Sequence, residues 1–398
     1  MFADYYFKKY GSYIPLIGED VSEETTLFVM IPCYKEPDIL LTLDSLVQCN
    51  PTQGGAEVLV VINEPENCDP DISAFNLSTY NQVAGWIAKQ ERSPVRFFVA
   101  GPVKLPQKWA GVGMARKRGM DEGLWRFSKA GKPDGIIVSL DADTLVEPNY
   151  LNAIEHFFTG NKGYAGTTIS FSHQTVGLDE LQKKGIELYE KYLSYYKTAL
   201  EYTGFPHAMY TIGSAFAVSA WAYLKRGGMT RRKAGEDFYF LTNLTQTGKV
   251  GEITETTVHP SARISDRVPF GTGIAMKQWM YGEEDLDYTY DIQAFYDLKD
   301  FFSKTGFLYR RSKSDCQKTL SSLAPALIQF LESDHFFDKT EELSANCSTL
   351  NIFRERFFQV FNAFKVMKYL NFSRDTHYPP RRLDEVCEEL QQLIQAPK

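Results

Sequence analysis

The chain has 398 residues, 43% of them hydrophobic and 23% charged, an ordinary globular composition that is long enough for two or three structural units. Its net charge of −7 argues against a general nucleic-acid partner, because such binding depends on neutralising phosphates. The six cysteines lack metal-ligand spacing, and no run of about 20 strongly apolar residues predicts a membrane span. We therefore expect a cytoplasmic protein with reduced thiols and no transmembrane segment, for which peripheral contact with a membrane stays open.

Strand and helix patterns alternate from residue 27 onward, which predicts an α/β fold with a mostly parallel central sheet flanked by helices. The predicted strands are 27–31, 58–62, 95–99 and 135–140. The predicted helices are 39–47, 112–129, 179–202, 235–248, 320–331, 352–364 and 383–393. We expect three parts, namely an N-terminal extension (1–26), an α/β domain (27–290) and a helical C-terminal region (291–398), in which the phenylalanine-rich helix is core.

Two early loops carry residues suited to a nucleotide. The first strand runs into a segment with Pro32, Tyr34 and Glu36, whose backbone and carboxylate suit a base or ribose edge, although a proline-bounded turn explains it equally well. A basic segment with Lys108 and Arg116 surrounds the start of the helix at 112–129, where small residues let the backbone approach a ligand. A diphosphate site and a basic amphipathic helix face are both compatible with that second pattern.

Asp141 and Asp143 follow the fourth strand directly. Because side chains alternate along extended backbone, both carboxylates point to one side of the strand end, at the edge where α/β enzymes hold ligands. This spacing suits a shared cation, or one cation and one sugar hydroxyl. A solvated acidic turn is the simpler alternative for the tripeptide alone.

Three later segments add further candidate groups. They are the small-residue turn Gly213-Ser214, the pair Glu236-Asp237 at the start of a helix, and the extended loop with His259, Arg263 and Arg267. Acids in a first helical turn are usually capping residues, but a carboxylate there is also well placed to take a proton from a nucleophile. The imidazole and guanidinium groups suit a metal shell and a leaving diphosphate, and a structural role for the histidine is the alternative.

The order of these motifs resembles the inverting, nucleotide-sugar-dependent glycosyltransferases of family 2, which have the GT-A fold. The resemblance covers roughly residues 27–273. It implies Mg²⁺ or Mn²⁺ as the cofactor, a nucleoside-diphosphate sugar as the donor, and a hydroxyl of a glycan, glycolipid or small molecule as the acceptor.

The resemblance also implies roles for individual residues. Asp237, next to Glu236, would be the catalytic base; Asp143 would bind the metal, and His259 matches a metal or phosphate position only loosely. The residues implied at the nucleotide or donor are Pro32, Tyr34, Glu36, Glu64, Lys108, Arg116, Asp141, Arg263 and Arg267, and those implied at the donor or acceptor sugar are Gly213 and Ser214.

The sequence departs from the family pattern in ways that leave the nucleotide base open. Asn63-Glu64 stands where the family has an acidic Asp-containing turn, and Lys35 replaces the usual Asn. The Gln-x-x-Arg-Trp signature of processive enzymes is absent, which favours single addition. The connection at 63–93, read as a variable loop, and the helical tail are expected to contact the acceptor.

Two other functions compete with this interpretation. A sugar-phosphate nucleotidyltransferase shares the alternating layout, but its glycine-rich, arginine-containing first loop is not found here. A non-catalytic sugar-nucleotide or glycan-binding protein would keep the fold without turnover, although the presence of both Asp143 and Asp237 argues against it. Release of a nucleoside diphosphate from a donor separates an enzyme from a binder.

Overall fold

The computed structural model describes residues 1–9, 13–90, 93–265 and 271–395. They form two units, the first made of Met1–Asp179 and Thr211–Lys277, and the second of Glu180–Tyr210 and Gln278–Lys398. The strands are β1 (Thr25–Cys33), β2 (Gly55–Pro65), β3 (Val95–Leu105), β4 (Ile136–Ser139), β5 (Leu145–Val146), β6 (Gly166–Phe171), β7 (Phe216–Ser219), β8 (Val250–His259), β9 (Tyr288–Thr289) and β10 (Arg381–Arg382).

The first unit is built on an eight-stranded sheet with the order β3-β2-β1-β4-β7-β6-β8-β5. Neighbours are parallel from β3 to β4 and between β6 and β8, whereas β7 is antiparallel to β4 and β6, and β5 is antiparallel to β8. The central strands β1 and β2 are buried along almost their whole length, as expected for strands covered on both faces. The predicted α/β class, with a central sheet flanked by helices and a helical C-terminal region, is confirmed.

Helices of the first unit flank this sheet, and helices make up most of the second unit. They are α1 (Asp4–Lys9), α2 (Ile39–Val47), α3 (Pro70–Ile87), α4 (Val112–Lys129), α5 (Tyr150–Gly160), α6 (Glu180–Tyr202), α7 (Ala220–Arg226), α8 (Glu236–Leu244), α9 (Thr272–Met280), α10 (Ile292–Ser303), α11 (Lys313–Leu320), α12 (Pro325–Ser333), α13 (Phe336–Ala345), α14 (Leu350–Val360), α15 (Ala363–Thr376) and α16 (Leu383–Gln395). Among these helices, none is both long and apolar enough to span a bilayer.

Three predictions about individual elements are wrong. The connection at 63–93 is not a loop, because it contains α3, whose first turn is capped by the Asp69 carboxylate. The predicted helix at 320–331 is divided between α11 and α12, since Pro325 occupies the first turn of a new helix. The predicted helix at 352–364 ends at Val360, because the Asn362 side chain caps the start of α15.

The second unit has an aromatic core of its own. Phe353, Phe357 and Phe361 are each at most 1% exposed, so the phenylalanine-rich segment is core as expected. Tyr192 and Tyr196 of α6 pack against the same cluster. A single apolar core of this size lets the second unit bury its helices without a central sheet.

Candidate active site

The candidate site lies at one edge of the sheet in the first unit. β1 and β4 are parallel neighbours, so the segments after them, with Glu36 and with Asp141 and Asp143, leave the sheet at the same edge. β7 runs antiparallel to β4, so the segment before it brings Gly213 and Ser214 to that edge as well. The topology therefore gathers motifs that are far apart in sequence.

Arg116 of α4 connects three of these motifs and is only 2% exposed. Its Nε donates to Glu236 Oε1 at 3.1 Å, and its Nη2 donates to Asp141 Oδ1 at 2.9 Å. Its Nη1 donates to the Gly213 carbonyl at 2.8 Å and to the Ser139 hydroxyl, which itself donates to the same carbonyl at 2.8 Å. Each guanidinium nitrogen therefore has a protein acceptor, and in this conformation Arg116 positions the carboxylates instead of facing an open surface.

Asp237, the second residue of α8, lies beside this network and keeps part of its surface open to solvent. A Cβ added to Gly213 would lie 3.3 Å from Asp237 Oδ2, so the carboxylate borders the glycine turn. Burial, together with the like charge of Glu236, raises the pKa of Asp237 to about 7, although Arg116 opposes the change. A carboxylate with this pKa can accept a proton near neutral pH.

Arg263 forms a second network around the other carboxylate of the motif. Its Nη1 donates to Glu36 Oε1 at 2.8 Å, and its Nη2 donates to Glu36 Oε2 and, at 3.0 Å, to Asp143 Oδ2. Asp38 Oδ2 also lies within ion-pair distance, 3.5 Å from Arg263 Nη1. Because Glu36 is 1% exposed while the side chains of Arg263 and Asp143 are 29% and 23% exposed, the arginine and the aspartate form the accessible part of this network.

Glu64 is fully buried at the end of β2, where other side chains surround its carboxylate. It accepts hydrogen bonds from Ser73 Oγ and Asn76 Nδ2, both at 2.9 Å, and from Lys104. Burial opposes ionisation, but these hydrogen bonds outweigh it and lower the pKa of Glu64. Asn76 Oδ1 also accepts from the Lys35 amide at 3.0 Å, so the residue links Glu64 to the loop after β1.

The backbones of His259 and Asp143 are neighbours, but their side chains do not meet. Gln174 Nε2 donates to the Asp143 carbonyl at 2.9 Å and to the His259 carbonyl at 2.7 Å. The imidazole, however, has Nδ1 at 2.9 Å from the Ser172 carbonyl and Nε2 at 2.9 Å from Glu147 Oε1. Both ring nitrogens are engaged in this way, and the structure does not bring the imidazole together with the Asp143 carboxylate.

The remaining candidates differ in accessibility. Pro32 is buried within β1, and Tyr34 is half-buried in the loop that follows. Lys108 is exposed, whereas Ser214 is 1% exposed and its Oγ has no hydrogen-bond partner among the described residues. Arg267 lies outside the described residues.

Several residues that hold the site were not identified from sequence, namely Ser139, Asn76 and Gln174. For Ser139 a signal was available, since a serine that interrupts an apolar strand requires a hydrogen-bond partner when buried. No such signal marks Asn76 or Gln174, because each looks like an ordinary surface residue until the fold supplies its partners.

The side chains of the candidate site can supply only a few ligands to a metal ion. Among the described residues no group of three or more His, Cys, Asp or Glu side chains is arranged to hold a metal ion. Asp143 and Asp141 are nevertheless two residues apart with partly exposed side chains, 23% and 34%. Mg²⁺ is commonly held by one or two carboxylates, with substrate phosphates and water supplying the other ligands. The residues present fit a cation of that kind.

Three solved structures show what the chain is similar to. TarS residues 1–349 of S. aureus is 12% identical with a TM-score of 0.41, covering 85% of this chain and 92% of that one. The mannosyltransferase PcManGT of Pyrobaculum calidifontis, in complex with GDP-Man and Mn²⁺, is 12% identical with a TM-score of 0.39, covering 90% and 94%. Glucosyl-3-phosphoglycerate synthase of Mycobacterium tuberculosis, in complex with Mn²⁺, UDP and phosphoglyceric acid, is 16% identical with a TM-score of 0.34, covering 66% and 81%.

No protein-family model and no curated protein matches the chain. Similarities as weak as those to the three solved structures assign no activity to it. The geometry of the site itself is therefore the basis for a function.

Proposed function

We propose that the first unit is an inverting, nucleotide-sugar-dependent glycosyltransferase of the GT-A type in family 2. The donor is a nucleoside-diphosphate sugar, and the acceptor is a hydroxyl of a glycan, glycolipid or small molecule. The observation that carries this proposal is the meeting of Asp141, Glu236 and Asp237 around Arg116 at the sheet edge, with the pKa of Asp237 raised to about 7. Such perturbed carboxylates are typical of catalytic sites.

The proposed reaction assigns separate tasks to the two networks. Asp237 takes the proton of the acceptor hydroxyl as its oxygen forms a bond to the anomeric carbon, and the bond from that carbon to the diphosphate oxygen breaks. The nucleophile and the leaving group lie on opposite faces of the sugar in an inverting displacement. Arg263 supplies positive charge for the leaving diphosphate, and Asp141 contacts the donor from the other side of the motif.

Asp143 would hold Mg²⁺ or Mn²⁺ in this reaction. When bound, the cation neutralises the charge that develops on the leaving diphosphate. Arg263 already donates to Asp143 at 3.0 Å, so the same carboxylate orients a second positive charge toward that place.

A thermal-shift panel tests the proposal. We expect nucleoside diphosphates and nucleotide sugars to raise the melting temperature, and Mn²⁺ or Mg²⁺ to increase the effect, because ligands that bind the folded state stabilise it. If no nucleotide stabilises the chain with or without metal, the proposal fails. A second assay measures release of nucleoside diphosphate from the donors that bind. Stabilisation without any release would favour the non-catalytic binder.

The metal assignment predicts a selective effect of Asp143→Asn. In the wild-type chain, Mn²⁺ is expected to increase the affinity for the donor. In the variant this increase should be at least about tenfold smaller, because the amide removes the anionic ligand. Isothermal titration with and without EDTA measures the effect.

Asp38→Asn is the matched control for Asp143→Asn. Asp38 pairs with the same Arg263, at 3.5 Å, but its side chain is 58% exposed and is not assigned to the metal. The control should keep the metal effect. An Asp143→Asn chain whose donor affinity still responds fully to Mn²⁺ would contradict the assignment.

A further inference from the structure

A cluster of cations beside the candidate base has no role in the proposed transfer reaction. It is formed by Lys108, before α4, and by Arg231, Arg232 and Lys233, before α8. Lys108, Arg232 and Lys233 are exposed and Arg231 is half-buried. None of the four has a carboxylate within ion-pair distance among the described residues, whereas Lys104, near the same loop, is paired with Glu64.

Aromatic rings, not carboxylates, hold three of these four cations. Lys108 Nζ lies 5.5 Å and Arg231 Cζ 4.9 Å from the centroid of the same Trp109 ring, and Arg232 Cζ lies 3.6 Å from the Tyr239 ring centroid. Ring contacts of this kind orient a cation without neutralising it. Two like charges at one ring repel each other, and a bound anion would relieve this repulsion.

The backbone fixes the cluster against the start of α4. A Cβ on Gly113 would overlap the Arg232 carbonyl, and a Cβ on Gly111 would lie 3.1 Å from the Lys233 carbonyl oxygen. Gly111 caps the 18-residue α4 without any side-chain hydrogen bond, so the first N–H groups of this helix add to the positive potential. In a chain with net charge −7 this is a local reversal of sign.

The position of the cluster indicates which of the two substrates, the acceptor or the donor, it faces. Only two residues separate Lys233 from Glu236 and Asp237. A Cβ added to Gly113 would also lie 3.1 Å from Glu236 Cβ. In an inverting displacement the base and the leaving diphosphate are on opposite faces of the sugar. Cations next to the base therefore face the acceptor, while Arg263 faces the leaving group.

We propose that Lys108, Arg231, Arg232 and Lys233 bind a phosphate group of the acceptor, so that the substrate class is a phosphorylated hydroxyl compound. This assignment rests on the proposed glycosyltransferase function, because it uses Asp237 as the base. Arginine pairs bind phosphate oxygens through charge-assisted hydrogen bonds and are well suited to this task.

The test uses the full chain and glycerol 3-phosphate as the probe, with glycerol as the uncharged comparison. Ligand-observed ³¹P NMR gives the affinity for glycerol 3-phosphate. We expect the double variant Arg231→Gln/Arg232→Gln to lose at least about tenfold in this affinity, since each charge-assisted hydrogen bond is worth roughly such a factor. Calorimetry should give unchanged affinity of the same variant for nucleoside diphosphates.

Lys129→Gln is the matched control. Lys129 is exposed, lies 5.8 Å from the Trp125 ring centroid and belongs to the last turn of α4, so it is a ring-held cation at the opposite end of the helix. The control should bind glycerol 3-phosphate like the wild type.

Three results would overturn the assignment. The first is equal glycerol 3-phosphate binding by the wild type and the double variant, and the second is equal loss in the Lys129→Gln control. The third is a parallel loss of nucleoside-diphosphate affinity in the double variant, which would assign the cations to the donor. A wild-type chain that binds no nucleotide would instead overturn the proposed function, and with it the acceptor role, whatever the phosphate titration gives.

Discussion

Asp237→Asn is expected to lower the rate of sugar transfer by about 10²- to 10⁴-fold, the range that a positioned general base contributes. The amide keeps the size of the side chain but cannot take a proton from the acceptor hydroxyl. Donor affinity should change little, because Asp237 is assigned to the acceptor side of the sugar. Single-turnover transfer measures the rate, and calorimetry measures the donor affinity.

The melting temperature of the Asp237→Asn chain serves as the structural control. We expect it to equal or exceed that of the wild type, because the substitution removes a charge that burial and Glu236 disfavour. A variant that loses donor affinity as strongly as transfer would contradict the role of Asp237 as a base.

The pH dependence of transfer provides a related test. Burial and Glu236 raise the pKa of Asp237 to about 7, so the carboxylate is protonated and inactive below that pH. The value of kcat/KM for the acceptor should therefore rise with pH, about tenfold per unit on the acidic side, and level off above about pH 7. A profile that is flat from pH 5.5 to 8, or that falls as the pH rises, would contradict the assignment.

Arg116→Gln is expected to have the largest effect on stability, about 3–5 kcal/mol, because it removes the cation that compensates the buried Glu236. The Gly213 carbonyl and Ser139 would also lose a hydrogen-bond donor. Hydrogen exchange of the α4 amides is the appropriate measurement, since the chain has two units and global unfolding need not be a two-state process.

Two further variants test whether Arg116 acts through charge compensation. Arg118→Gln, on the same helix, removes a half-buried guanidinium that lies 5.5 Å from the Tyr13 ring centroid, and it should cost less than about 1 kcal/mol. The double variant Arg116→Gln/Glu236→Gln should recover part of the lost stability, because it removes the unpaired carboxylate as well. Additive losses in the double variant would show that the two residues do not interact.

The sequence predicts those parts of the fold that have a strong apolar pattern. The buried runs in β1 and β2 and the helix at 112–129 all appear where expected, and α4 has the predicted bounds. Helix α3 was missed because its described buried residues are Asn76, Thr79 and Val83, two of which are polar, so its sequence has no apolar stripe. The sequence does contain a signal for the start of this helix, Asp69-Pro70, but that signal is only two residues long.

The site was predictable in composition but not in its internal contacts. The alternation of strands and helices places Asp141 at the ligand edge without any knowledge of the fold. The burial of Arg116 is different, because its partner Glu236 is 120 residues away and only the tertiary structure joins them. Glu64 is a similar case, since its buried position depends on α3, which the sequence did not reveal.

The tight contact at Gly113 bears on the geometry of the proposed acceptor side. A side chain at this position would overlap the Arg232 carbonyl, so the missing carbon atom lets the cation-bearing segment lie against the helix that carries Arg116. A residue without a side chain thus sets how closely the backbone of the cation-bearing segment approaches α4. If these cations hold the acceptor phosphate as proposed, this backbone packing sets where their side chains start, and so limits the distance between phosphate and nucleophilic hydroxyl that an acceptor can span.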